Sequence, residues 1–187
     1  IIQFDMFELK KTVALVGMMG SGKSAIGKVI SSILDVPFVD ADVEIEKAAK
    51  LSIPEIFERH GEKFFRDKEG QVIGRLLKDK PCILATGGGA FINDNIRTSI
   101  KNHSVSVWLN ADVETLWKRV KHKSTRPLIR TGNPKKTLIN IYKERIETYS
   151  LADVIIESKS TSSLEKMANR VITSLLDRND LVERILS

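Results

Sequence analysis

The sequence predicts an α/β fold: a three-layer α/β/α arrangement with a five-stranded parallel sheet between two sets of helices. Three observations carry this prediction. Short apolar, β-prone runs alternate with longer amphipathic stretches along most of the chain. The first of these runs, Thr12-Val13-Ala14-Leu15-Val16, passes through the glycine-rich stretch 17–24 into a helical pattern over 25–34. A later buried run, Cys82-Ile83-Leu84-Ala85, closes on Thr86 and three successive glycines.

The stretch Gly17-Met18-Met19-Gly20-Ser21-Gly22-Lys23-Ser24 has the spacing GxxxxGK[ST] of a phosphate-binding loop, or P-loop. Its glycines let backbone N–H groups close on phosphate oxygens. The helix that follows turns its positive end toward the same anion. Lys23 can reach the β- and γ-phosphates, and the Ser24 hydroxyl can ligate Mg²⁺. A plain glycine-rich βα turn would account for the glycines but not for the Lys-Ser pair in register.

Pro37-Phe38-Val39 is expected as the next strand, ending in Asp40-Ala41-Asp42, with a helix from Val43 to Lys50. Stretches 53–59 and 62–77 read as helices broken by Gly61. After strand 82–85, Val105–Leu109 is a strand and Asp112–Val120 a helix, with Asp112 in its first turn. Lys121–Lys136 holds Pro127, Gly132 and Pro134 and little apolar periodicity, so it reads as a mobile loop. A helix over 137–149, a strand over 154–156 and a helix over 163–176 complete the pattern. The first residues are expected to be a frayed lead, and the polar end 177–187 a helical extension or a tail.

Four polar clusters fall at strand ends, where open α/β sheets collect ligands. Besides the P-loop, Asp40 and Asp42 stand two apart; extended, both lean to one side and could hold metal-bound water and orient an alcohol acceptor. Capping of the next helix by Asp42 is the plainer reading. Gly87-Gly88-Gly89 exceeds what a turn requires, so backbone is expected to approach a ligand directly, although a flexible turn is the simpler account. Arg66 and Glu69, three apart on a helix, read from spacing alone as an exposed ion pair, and Arg145 between Glu144 and Glu147 is equally ambiguous. Arg126, before Pro127, looks like a cation that a lid delivers to a transition state.

Composition suits one soluble domain over 1–187, with a core over 11–176, a lid over 121–136 and terminal extensions over 1–10 and 177–187. The net charge of +6 rests on one segment: residues 115–136 hold eight Lys/Arg and no Asp or Glu. So local a basic patch fits a polyphosphate better than a nucleic-acid groove, and no nucleic-acid partner is expected. No apolar run reaches the ~20 residues of a membrane span, and the start does not read as a signal peptide. One cysteine, Cys82, excludes an internal disulfide framework and points to a reducing cytoplasm. His60, His103 and His122 lack metal-ligand spacing. Trp108 and Trp117 read as packing residues.

Together, GMMGSGKS at 17–24, FVDAD at 38–42, GEKFFRDKE at 61–69, ATGGGA at 85–90, TRPL at 125–128 and ERIETY at 144–149 resemble the shikimate kinases. These are small P-loop kinases of the nucleoside-monophosphate-kinase-like fold, and the likeness spans roughly 11–176. It implies transfer of phosphate from ATP, with Mg²⁺, to the 3-hydroxyl of shikimate, on the way to chorismate and the aromatic amino acids. It further implies that Gly20, Ser21, Gly22, Lys23, Ser24, Ala25, Arg119 and Arg126 hold the nucleotide. Ser24 and Asp40 would position Mg²⁺, and Lys23, Asp42 and Arg126 would act in catalysis. Asp42, Arg66, Gly87, Gly88, Gly89 and Arg145 would bind shikimate, with Glu69 orienting Arg66. A monomer is expected. A gluconate or nucleotide kinase on the same fold is the nearest alternative, and a nucleic-acid-stimulated ATPase or binding module the alternative from another class.

Overall fold

The computed structural model describes residues 6–122, 131–159, 161–178 and 180–185. Its main sheet has the five expected strands, β2 (Thr12–Val16), β3 (Phe38–Asp40), β4 (Ile83–Ala85), β5 (Ser104–Ala111) and β6 (Val154–Ser158), all paired in parallel. The order across the sheet is β3-β4-β2-β5-β6, so the strand feeding the P-loop is central.

Side chains of β2 alternate between two apolar layers, as the two-residue period of a strand requires. Val13 and Leu15 face α1 (Lys23–Leu34) and α7 (Leu164–Leu176), through Ile26, Ile30, Met167 and Val171. Ala14 and Val16 face the layer of α2 (Ala41–Ala49), α3 (Ile53–Leu76), α4 (Asp94–His103), α5 (Val113–Val120) and α6 (Pro134–Tyr149). This is the predicted three-layer class. Among the described residues, no helix is long and apolar enough to cross a membrane.

Several boundaries differ from expectation, each for a local reason. Asp42 is neither extended nor a cap: it is the second residue of α2, and Asp40 is the N-cap, its Oδ1 accepting from the Asp42 N–H at 3.0 Å. The break expected at Gly61, by contrast, is present: at φ 78° and ψ 174° the residue is non-helical and divides α3 into two helical stretches. The stretch 134–136, expected in the loop, opens α6 instead, with Pro134 in the first turn and Asn133 capping the Lys136 N–H. Helix α4 carries only Ile96 and Ile100 as buried residues, too few to stand out as a period, and depends on its Asn93 cap.

The termini depart most. Met6–Leu9 (β1) pairs antiparallel with Val182–Ile185 (β7), and the Lys10 N–H donates to the Leu181 carbonyl at 2.8 Å. Strand β7 stands where a helical extension or a tail was expected, while the expected frayed lead falls mainly on residues 1–5, outside the described residues. The pairing of β1 with β7 joins the two ends of the chain, which local periodicity cannot reveal.

Because the main-sheet strands run parallel and in register, their carboxyl ends lie along one edge. The P-loop, the Asp40 turn, the Thr86–Gly89 loop and the segment after Ser158 meet there.

Candidate active site

Gly22 caps α1 in the left-handed region at φ 96°, and Gly20 sits at φ 82° with no room for a side chain beside Val120. These two positions need glycine. The backbone curls so that Lys23, only 8% exposed, turns its Nζ to the carbonyls of Gly17 at 2.8 Å and Met18 at 3.0 Å. Arg119, from α5, donates to the carbonyls of Gly20 and Ser21 at 3.2 and 3.4 Å. The Ser24 hydroxyl donates to Asp40 Oδ2 at 2.5 Å.

A cleft of about 440 Å³ opens on this loop. Gly20, Gly22, Lys23, Ser24, Ala25 and Arg119 line its P-loop side, and Asp40, Asp42, Thr86 and Gly88 continue it across the strand ends. Its far end is formed by Ser158, Ser162, Leu164 and Met167, where β6 passes into α7. The sequence reading missed these four. The rule that ligands gather beyond strand ends could have found them had it been applied to the last strand. Ser158 Oγ is buried there without a hydrogen-bond partner among the described residues.

The three glycines hold the structural surprise. None has a positive φ, so turn geometry does not demand them. Close approach does. A Cβ on Gly87 would meet Glu69 Oε1 at 2.7 Å and Asp42 Oδ1 at 3.0 Å; on Gly88, the Met19 backbone N at 3.0 Å; on Gly89, the Arg66 guanidinium at 2.8 Å. Each glycine therefore lets charged side chains, or the P-loop itself, press against this loop.

Arg66 is not an exposed ion pair. Its Nη1 donates to Glu69 Oε2 at 2.7 Å and its Nη2 to Glu62 Oε1 at 3.2 Å, and Glu69 is fully buried. Burial pushes the Glu69 carboxyl above the usual range, against the pull of Arg66, with the nearby Asp42 charge pushing the same way as burial. Arg145 Nη1 donates to the Gly88 carbonyl at 3.0 Å. Arg126 lies outside the described residues. Lys135, another member of the basic segment, pairs with Glu114 at 2.9 Å on the surface.

Asp40 has two tasks that can be separated. Asp40→Ala removes the α2 cap and is expected to cost about 1 kcal/mol, or a few degrees in Tm. Asp40→Asn keeps a capping oxygen and should melt near the parent. Thermal unfolding without nucleotide checks both.

Comparison with known proteins follows the same lines. The family described as shikimate kinase matches residues 19–176. A shikimate kinase of Ruegeria pomeroyi is 54% identical over 175 residues, covering 94% of this chain and 90% of that one. A shikimate kinase of Cereibacter sphaeroides is 52% identical over 178 residues, covering 95% and 89%. Among solved structures, shikimate kinase from Acinetobacter baumannii in complex with shikimate superposes with a TM-score of 0.87 at 33% identity, covering 90% of this chain and 94% of that chain.

Proposed function

The chain belongs to the shikimate kinase family, and from that premise we propose how its cleft phosphorylates the 3-hydroxyl of shikimate with ATP. One observation carries the proposal: Asp42, Arg66 and Arg145, from α2, α3 and α6, converge on one glycine loop that itself touches the P-loop.

The P-loop amides and Lys23 receive the triphosphate, with the nucleoside toward Ser158 and Met167. Lys23 exchanges its loop carbonyls for phosphate oxygens when the nucleotide enters. Beyond the γ-phosphate, Arg66 and Arg145 bind the shikimate carboxylate, since guanidinium forks match that group. Asp42 accepts from the acceptor hydroxyls and takes the proton as the 3-oxygen bonds to phosphorus and the bond to the ADP oxygen breaks. Arg126, by its place in the 125–128 motif, meets the charge on the transferring phosphoryl group.

The residues present suit Mg²⁺ carried by the nucleotide. Ser24 and Asp40 offer one hydroxyl and one carboxylate, already in contact, and a phosphate-bound Mg²⁺ needs few protein ligands. Among the described residues no cluster of three or more His, Cys, Asp or Glu could hold a metal alone. When bound, the ion neutralises charge on the β- and γ-phosphates. In the same proposal the chain is a cytoplasmic monomer, one domain over 1–187, that takes small molecules and no nucleic acid.

The decisive test is a coupled ADP assay with Mg-ATP and a panel of acceptors: shikimate, gluconate and nucleoside monophosphates. Shikimate alone should give ADP in step with shikimate 3-phosphate; a clear preference for another acceptor would overturn the assignment. Gly89→Ala probes the acceptor side. The three atoms nearest its methyl all belong to the Arg66 guanidinium, the far end of a flexible side chain, so the fold should hold while the guanidinium is displaced. The KM for shikimate should rise about tenfold or more, with the KM for ATP little changed.

A further inference from the structure

We propose that Tyr149 is a positioning residue for the acceptor: its hydroxyl holds the Gly88 carbonyl, and through that carbonyl sets the placement of Arg145 and of the Gly88–Gly89 peptide. The inference rests on the reading of Arg145 and the glycine loop as the shikimate side of the cleft.

Tyr149 ends α6, one helical turn after Arg145, and is 1% exposed. Its ring stacks between Phe91 at 6.4 Å and Trp108 at 5.8 Å. Those contacts need only an aromatic ring, which phenylalanine would supply without a polar atom to bury. The hydroxyl must therefore be accounted for by its partner. It donates to the Gly88 carbonyl, which also accepts from Arg145 Nη1. A carbonyl oxygen has two lone pairs, and Tyr149 and Arg145 between them can occupy both. Burial pushes the phenol up to about 12, so the hydroxyl stays a protonated donor across working pH.

The consequence lies in the peptide plane. The Gly88 carbonyl and the Gly89 N–H belong to one rigid trans unit and point opposite ways. Drawing the carbonyl toward α6 turns that N–H away from α6. Gly88 has little freedom on its other side, because the Met19 backbone N lies 3.0 Å from its would-be Cβ. With the carbonyl held by Tyr149, the Arg145 guanidinium finds its bond at a fixed point rather than following a loop free to rotate. A role in core packing alone predicts lower stability without any preference between substrates. A positioning role predicts an effect on one substrate.

The test is Tyr149→Phe, with steady-state kinetics in both substrates and thermal unfolding. The KM for shikimate should rise about tenfold, more than kcat falls, while the KM for ATP stays within about twofold. Unchanged KM values, or equal rises in both, overturn the proposal. The parent chain assayed alongside separates the two levels: active parent with an unmoved variant overturns this inference and leaves the shikimate kinase assignment standing. Should the variant not fold, the parent chain answers by NMR. It has two tyrosines, so the Tyr149 hydroxyl proton can be assigned. Adding shikimate should shift that resonance, and an unmoved signal at saturating shikimate overturns the proposal.

Discussion

Lys23→Ala should lower turnover by at least about 10²–10³-fold, the loss found when one preorganised donor to a developing anion is removed. The side chain is the charge that the P-loop spacing places nearest the phosphates, at the first residue of α1. It is also nearly buried and bonded to the carbonyls of Gly17 and Met18. Truncation thus takes a cation from the transferring phosphate and a donor from the loop carbonyls. The first effect falls on kcat, because charge accumulates in the transition state. The second falls on nucleotide affinity and should be smaller, since the loop amides and the helix end still bind phosphate. Single-turnover measurement of ADP formation with saturating ATP separates them. Turnover within tenfold of the parent would remove Lys23 from the catalytic set.

The second large effect is expected at Asp42. Asp42→Asn keeps the side chain's size but removes its charge and its ability to take a proton. General-base removal costs typically 10²–10⁴-fold, and turnover with shikimate should fall within that range. The fold should tolerate the change, because the α2 cap belongs to Asp40. Loss of a charge facing the buried Glu69 carboxyl also relieves like-charge repulsion. Nucleotide titration should show ATP binding close to the parent, with shikimate binding weakened. Retained turnover alongside retained shikimate binding would refute the role given to this carboxylate.

Both expectations draw on features of unequal legibility. Lys23 is legible because strand, loop and helix are consecutive: local spacing alone puts it at the start of α1, on the cleft wall. Asp42 was readable only in part. Its carboxylate at a strand end is legible, but its conformation is not, since a helix that begins two residues earlier moves the cap to Asp40. Arg66 was misread from spacing and reassigned by family resemblance, and the structure shows why spacing failed. Three residues apart on a helix describes an exposed pair and this buried one equally well; what differs is that Glu69 is closed in beneath Gly87.

The sequence by itself determined the α/β class, the five strands of the main sheet, the helices around them other than α4, and the glycine-rich loop with its Lys-Ser pair. All are local: runs of apolar residues set their own period, and a motif of eight residues carries its own geometry. Tertiary structure decided what depends on distant partners. It paired β1 with β7 across the length of the chain. It brought Ser158 and Met167 to the far end of the cleft, and it placed Tyr149 and Arg145 on a carbonyl far from both in sequence. The three glycines show the division most clearly. Their number was visible from the start, but their cause is steric contact with Glu69, Met19 and Arg66, and such contacts exist only once the layers have packed.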